Sequence, residues 1–120
     1  MGRGTYSRSG FIPRDDSGLA VMACRALADL THNNAENQVK IPNLGGIEAL
    51  LKAMQDHPAH PEVQQAVCGA LFNLSLVAEN KVKISNLGVE EEIRRAMAAA
   101  NATENTKKWG QNLLNRLAQC

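Results

Sequence analysis

Apolar residues recur three or four positions apart through most of this chain, which is the spacing of an amphipathic helix. The clearest stripe is formed by Val63, Val67, Ala70, Leu71 and Leu74. A matching stripe comes earlier in the chain and is formed by Leu19, Ala23, Ala26, Leu27 and Leu30. Strand-like alternation of apolar and polar residues is absent. The pattern therefore predicts an all-α protein.

Capping and turn residues divide this pattern into separate helices. Asp16 and Ser17 are good N-cap residues for the first long helix, and Pro61 suits the first position of a later one. Gly45 and Gly46 can supply a turn between two shorter helices. The predicted helices span about 16–31, 61–75, 80–87, 89–100 and 104–118. Between the first two of these, a short helix follows residue 34 and stops at 42–46, and another is marked by apolar residues from 47 to 54.

The chain contains an internal duplication. Residues 35–41 (AENQVKI) and 78–84 (AENKVKI) are near-copies that lie 43 residues apart. Residues 24–31 correspond to 68–75, 44 positions later, and residues 71–74 correspond to 114–117, 43 positions later. A period of this length without strands is typical of stacked-helix solenoids, which present a long surface to a partner.

Each period holds three helices, and this fixes the predicted organisation of the domain at 16–120. We expect a flexible N-terminal tail at 1–15, a leading third helix at 16–31, one repeat at 32–76 and a second at 77–119.

Composition narrows the class of protein but names no partner. The 120 residues suit one domain, and a net charge of +1 gives no strong field toward nucleic acid or an acidic membrane. The chain has no apolar run of 18 residues and no secretory signal. Three cysteines, an odd number, fit a reducing compartment, with Cys24 and Cys68 as buried residues and Cys120 as a terminal thiol. We therefore expect a cytoplasmic location, with the nucleus as an alternative.

Two segments of the chain resemble the armadillo repeat. Residues 43–51 (NLGGIEALL) are similar to that family's glycine turn and second helix, and residues 62–74 to its third helix. The resemblance spans about 17–118. It implies a right-handed α-solenoid of a leading third helix plus about two full repeats, with the third helices lining a concave groove. HEAT repeats, the alternative, lack the Gly-Gly turn and the Ala-Leu-x-Asn-Leu pattern.

The resemblance also implies a binding site in the groove. Family members that bind extended peptides use an asparagine on the third helix, and Asn73 matches it; the alternative is that Asn73 bonds its own repeat or water. The neighbouring repeats hold Asp29 and Arg116 at that position. One turn earlier the family's tryptophan is replaced by Arg25, Gly69 and Asn112, so binding of nuclear-import peptides is not expected. The expected groove residues are Asn73, Asp29, Arg116, Arg25 and Asn112.

No motif points to catalysis. The chain has no phosphate-binding loop, no triad spacing and no plausible set of metal ligands around its three histidines. We expect a non-catalytic protein with no metal and no cofactor, which binds a protein or an extended peptide carrying charges of both signs. Trp109 is either half-buried packing or an interface anchor.

The ends of the array suggest further possibilities. The leading helix lacks its own first and second helices, so an apolar face is expected to be uncovered, whereas Thr106, Gly110 and Arg94 make the last repeat more polar, as a cap requires. We predict the C-terminal end of a longer array, or self-association through the first helix, unless Phe11 and its neighbours Ile12 and Pro13 fold back. The alternative functions are a structural cap or self-association segment without a ligand, and a regulatory part of a larger enzyme.

Overall fold

The computed structural model describes residues 16–119, and within that range it contains seven α-helices and no strand. They are α1 (Ser17–Thr31), α2 (Ala35–Asn43), α3 (Gly46–Asp56), α4 (Pro61–Leu74), α5 (Ala78–Asn86), α6 (Glu90–Ala98) and α7 (Glu104–Ala118). The helix prediction is confirmed to within about two residues at most ends. The predicted tail, with Phe11, Ile12 and Pro13, and the terminal thiol of Cys120 lie outside the described residues.

Side-chain caps begin several of the helices. The Asp16 carboxylate accepts from the Leu19 N–H (3.1 Å) and starts α1, and the Thr103 hydroxyl oxygen accepts from the Thr106 N–H (3.0 Å) and starts α7. Pro61 occupies the first turn of α4, as expected, where its missing N–H costs nothing. These local signals set the helix starts before any packing is considered.

The turn between α2 and α3 depends on two adjacent glycines. Gly45 adopts a left-handed conformation (φ 88°), which residues with a side chain rarely adopt. A Cβ on Gly46 would clash with Ile41 Cγ2 and come within 2.8 Å of the Ile41 carbonyl oxygen. Helix α2 ends at Asn43, within the stop predicted at 42–46, and Pro42 lies inside its last turn.

The helices form an α-solenoid in which α1, α4 and α7 lie side by side, with α4 in the middle. Helix α3 packs on α4, and α6 packs on α7. The core is built from aliphatic residues of these helices, and its largest fully buried side chains include Ile47, Leu50, Leu71, Leu74, Ile84, Ile93 and Leu113. Cys24 and Cys68 are buried free thiols, as the sequence predicts.

Helix α1 buries a different face from the one its sequence stripe predicts. Leu19 is 49% and Leu30 51% exposed, whereas the matching residues of α4, Val63 and Leu74, are 0% exposed. The buried residues of α1 are Ala20, Val21, Cys24, Leu27 and Thr31. The neighbour decides this difference, because α1 packs mainly against α4, whereas α4 is also covered by α3.

The polar replacements in the last repeat are only partly exposed to solvent. Thr106 is fully buried, and its hydroxyl pairs with that of Thr103 at 2.9 Å. Gly110 is also buried, and a Cβ there would lie 2.7 Å from Met97 Cγ. Gly110 therefore allows the close α6–α7 contact, Thr106 is buried beside Thr103, and only Arg94 of the three presents a polar side chain to water.

Candidate functional site

A cavity of about 580 Å³ lies where the three long helices meet. Arg25 and Asp29 of α1, Gly69 and Asn73 of α4, and Trp109 of α7 contribute to its lining. No residue of α2, α3, α5 or α6 lines it. We call this feature the third-helix cavity.

The structure brings together three of the five residues expected to line a groove. Arg25, Asn73 and Asp29 share the third-helix cavity. Asn112 and Arg116 lie further along the row, on α7, and do not line it. The expected residues of α1 and α4 therefore lie together, whereas α7 contributes Trp109 in place of the expected Asn112 and Arg116.

Asn73 links α4 to α1, the two neighbouring long helices that correspond to the third helix of a repeat. It is 9% exposed, and its amide nitrogen donates to the Ala28 carbonyl oxygen (3.0 Å) and to the Thr31 hydroxyl oxygen (3.3 Å) near the end of α1. The bond to Ala28 reaches a carbonyl that the end of the helix leaves without a backbone N–H partner. The Asn73 Oδ1 accepts no hydrogen bond from residues 16–119, and it is not sealed from solvent. The side chain therefore has one free acceptor and no free donor.

Arg116 performs the same task one repeat later. Its Nε donates to the Ser75 carbonyl oxygen (3.1 Å) and one terminal nitrogen to the Leu76 carbonyl oxygen (3.4 Å), just beyond the end of α4. The other terminal nitrogen donates to Gln119 Oε1 (3.1 Å). This repeat position therefore ties each third helix to the end of the preceding one, whether the residue is an amide or a guanidinium.

Charged groups of both signs surround the cavity. Arg25, Asp29 and Glu62 all line it and are exposed, and none of them forms a salt bridge with another residue of the described range. Because exposed ion pairs within a protein contribute little, these groups cost little to leave unpaired and are available to a partner.

Trp109 both packs and lines the cavity. Its ring lies 5.5 Å from that of Phe72 at a tilt of 42°, and the Lys108 Nζ lies 5.1 Å from the ring centre. The side chain is partly buried against the core. Both interpretations made from the sequence, packing and contact surface, are thus compatible with its position.

Several lining residues were not anticipated from the sequence. They are Ala28, His32, Glu62, Gln65, Ala66 and Thr103. Four of them could have been found, because Glu62, Gln65 and Ala66 share the helical face of Gly69 and Asn73, and Ala28 lies three residues after Arg25 on the same face of α1. Thr103 gave no local signal, since its position depends on how the start of α7 meets α4, where its hydroxyl donates to Gln65 Oε1 (2.7 Å).

The geometry agrees with the comparison with known families. The model of the Armadillo/beta-catenin-like repeat family matches residues 34–76, the segment that holds α2, α3 and α4. Together with the all-helical stack, this match identifies an armadillo repeat at residues 34–76 and supports an armadillo-repeat fold for the chain. No curated protein and no solved structure matched it significantly.

The matched repeat indicates a general function. Armadillo repeats are protein-interaction modules and are generally non-catalytic. None of the helices in the described range is both long and apolar enough to cross a membrane.

Proposed function

We propose that the chain is a non-catalytic interaction module that binds an extended segment of a partner protein in the third-helix cavity. The main support is the position of Arg25, Asp29 and Glu62, three charged groups without internal partners around one cavity. A segment with both acidic and basic residues complements them.

Asn73 supplies the main-chain contact in this proposal. Its free Oδ1 is an acceptor for one N–H of an extended partner, while its amide nitrogen stays bound to α1. The contact is therefore a single hydrogen bond. Replacing Asn73 disturbs the α1–α4 link as well, so this residue is unsuited to a clean binding test.

Charge reversal at Arg25 gives a cleaner test. Random linear peptides displayed on phage are selected on the full chain, and the affinity of the best peptide is measured by fluorescence anisotropy. We expect Arg25→Glu to weaken binding by about tenfold or more, because a desolvated charge contact is reversed. The control, Arg94→Glu, reverses an exposed charge on α6 outside the cavity. Equal affinities for the two variants would contradict the proposal.

A second candidate, self-association through α1, rests on a separate observation. Leu19, Met22 and Leu30 are 49%, 66% and 51% exposed on one side of this helix. Burying such side chains contributes about 25 cal/mol per Å², so packing against a second copy is favourable. Light scattering after gel filtration tests it: Leu30→Glu should shift a dimer to monomer, while Leu87→Glu, which alters an exposed leucine outside α1, should not. A monomeric wild-type chain at high concentration would refute self-association.

A further inference from the structure

Gly69 occupies an unusual place for a glycine. It lies inside α4, one turn before Asn73, and its helical backbone shows no positive φ. A Cβ built on it meets no atom within 4 Å. Neither backbone conformation nor internal packing therefore explains why this position lacks a side chain.

Glycine at this position costs helix stability. It is the least favourable helix-interior residue after proline, because it loses the most backbone freedom on folding. Gly46 and Gly110 differ from Gly69 in this respect, since an added Cβ would clash with Ile41 or Met97 there. A destabilising glycine without a packing role, at the floor of a cavity, indicates a surface that something approaches closely.

The surroundings indicate what approaches. Ala66, on the same face of α4, also keeps the floor of the cavity low, and Trp109 and Arg25 line the cavity from the helices on either side. The Asn73 Oδ1 follows one turn later along α4 as an unpaired acceptor. A stretch of helix without large side chains, followed by a single hydrogen-bond acceptor, is complementary to a polypeptide main chain, which carries one N–H donor at each residue.

We infer that Gly69 is a specificity-determining residue: it leaves room for the main chain of an extended partner to lie directly on α4, with one N–H donating to Asn73 Oδ1. This inference rests on the proposed function and adds where the partner's backbone runs. A side chain at position 69 would lift the backbone away from α4 and break that hydrogen bond.

The experiment separates stability from binding. Gly69→Ala and Gly69→Leu are compared with the wild type, using the phage-selected peptide as the probe and thermal unfolding as the stability measurement. Asn86→Leu is the control, because it adds a leucine at an exposed position of α5, outside the cavity. Arg25→Glu is included as the independent test of the cavity itself.

We expect Gly69→Ala to raise the melting temperature by about 3–5 °C and to weaken binding modestly. Gly69→Leu should fold at least as stably as the wild type and weaken binding by about tenfold or more. Asn86→Leu should bind as the wild type does. If both Gly69 variants melt lower than the wild type, the glycine has a structural role and the inference is wrong.

The remaining outcomes distinguish the two proposals. If Arg25→Glu weakens binding but Gly69→Leu does not, the cavity binds the peptide and the role given to Gly69 is overturned. If no peptide is enriched on the wild type, or if neither variant changes affinity, both proposals are overturned. A loss of binding in Asn86→Leu equal to that in Gly69→Leu would also contradict the placement over α4.

Discussion

The duplicated asparagines Asn37 and Asn80 provide a matched pair for a stability prediction. Each amide nitrogen donates to a carbonyl oxygen at or near the end of the preceding third helix: Asn37 to Leu30 (2.8 Å) and Asn80 to Leu74 (2.9 Å). Asn80 is buried and makes a second bond, to the Gln38 carbonyl oxygen (2.7 Å). The same residue at the same repeat position thus has one more bond, and a drier setting, in the second repeat.

The second bond has a specific cause. In α2 the Gln38 carbonyl would normally accept from the N–H of residue 42, but that residue is Pro42, which has no N–H. The Asn80 amide from the next repeat supplies the missing donor. In Asn80→Ala this buried carbonyl loses that donor, whereas the Leu74 carbonyl still accepts from the Val77 N–H (3.2 Å).

We therefore expect unequal costs for the two substitutions. Leaving the Gln38 carbonyl buried without this donor costs about 1–3 kcal/mol, and losing the bond to Leu74 about 1 more, so Asn80→Ala should destabilise the fold by about 2–4 kcal/mol. Asn37→Ala loses one exposed bond and should cost about 0.5–1 kcal/mol. Both variants gain the same helix propensity from alanine. The difference between their unfolding free energies therefore measures what the additional Asn80 hydrogen bond contributes between the repeats.

Urea unfolding followed by circular dichroism measures both free energies. Trp109 fluorescence, from the chain's one tryptophan, serves as a second probe of α7. If Asn37→Ala loses as much unfolding free energy as Asn80→Ala, or more, this account of the Asn80 hydrogen bonds between the repeats is refuted.

Three further predictions concern stability. Gly46→Ala should destabilise the fold by about 2–3 kcal/mol in urea unfolding, because the added carbon clashes with the backbone of Ile41; an unchanged midpoint would contradict the tight turn. Burial raises the pKa of the Cys24 and Cys68 thiols from 9.0 to about 12, so the unfolded chain ionises first and stability should fall as pH rises from 9.0 toward about 12. The Cys24→Ala/Cys68→Ala double variant should show a shallower decline, and an identical slope would exclude this cause. Arg116→Met should cost about 1–2 kcal/mol by removing the donors to the end of α4, and a neutral result would show that water replaces them.

The fold could be predicted because its signals are local and repeated. Helical spacing of apolar residues, N-caps such as Asp16 and the turn at Gly45 each act within a few residues. The duplication then shows which helices correspond to one another, and this requires no knowledge of their contacts. The buried face of α1 could not be predicted in this way, because Leu19 and Leu30 are exposed where no helix of residues 16–119 covers them.

The candidate site was predictable in part for the same reason. Repeat register and family resemblance placed Arg25, Asp29 and Asn73 on one surface, and the cavity contains all three. The hydrogen bonds of Asn73 and Arg116 to preceding helices depend on side-chain reach between repeats, which the sequence does not encode locally. The repeat register therefore identifies which positions line the cavity. The contacts between helices determine which side-chain atoms at those positions remain free to bind a partner.

Nuclear magnetic resonance of the ¹⁵N-labelled chain with a phage-selected peptide tests the central claim most directly. If the third-helix cavity binds an extended partner segment, the peptide should shift the backbone signals of Asp29, Gly69 and Asn73 and the indole N–H signal of Trp109. Shifts confined to α3 and α6, with those four signals unchanged, would contradict the account.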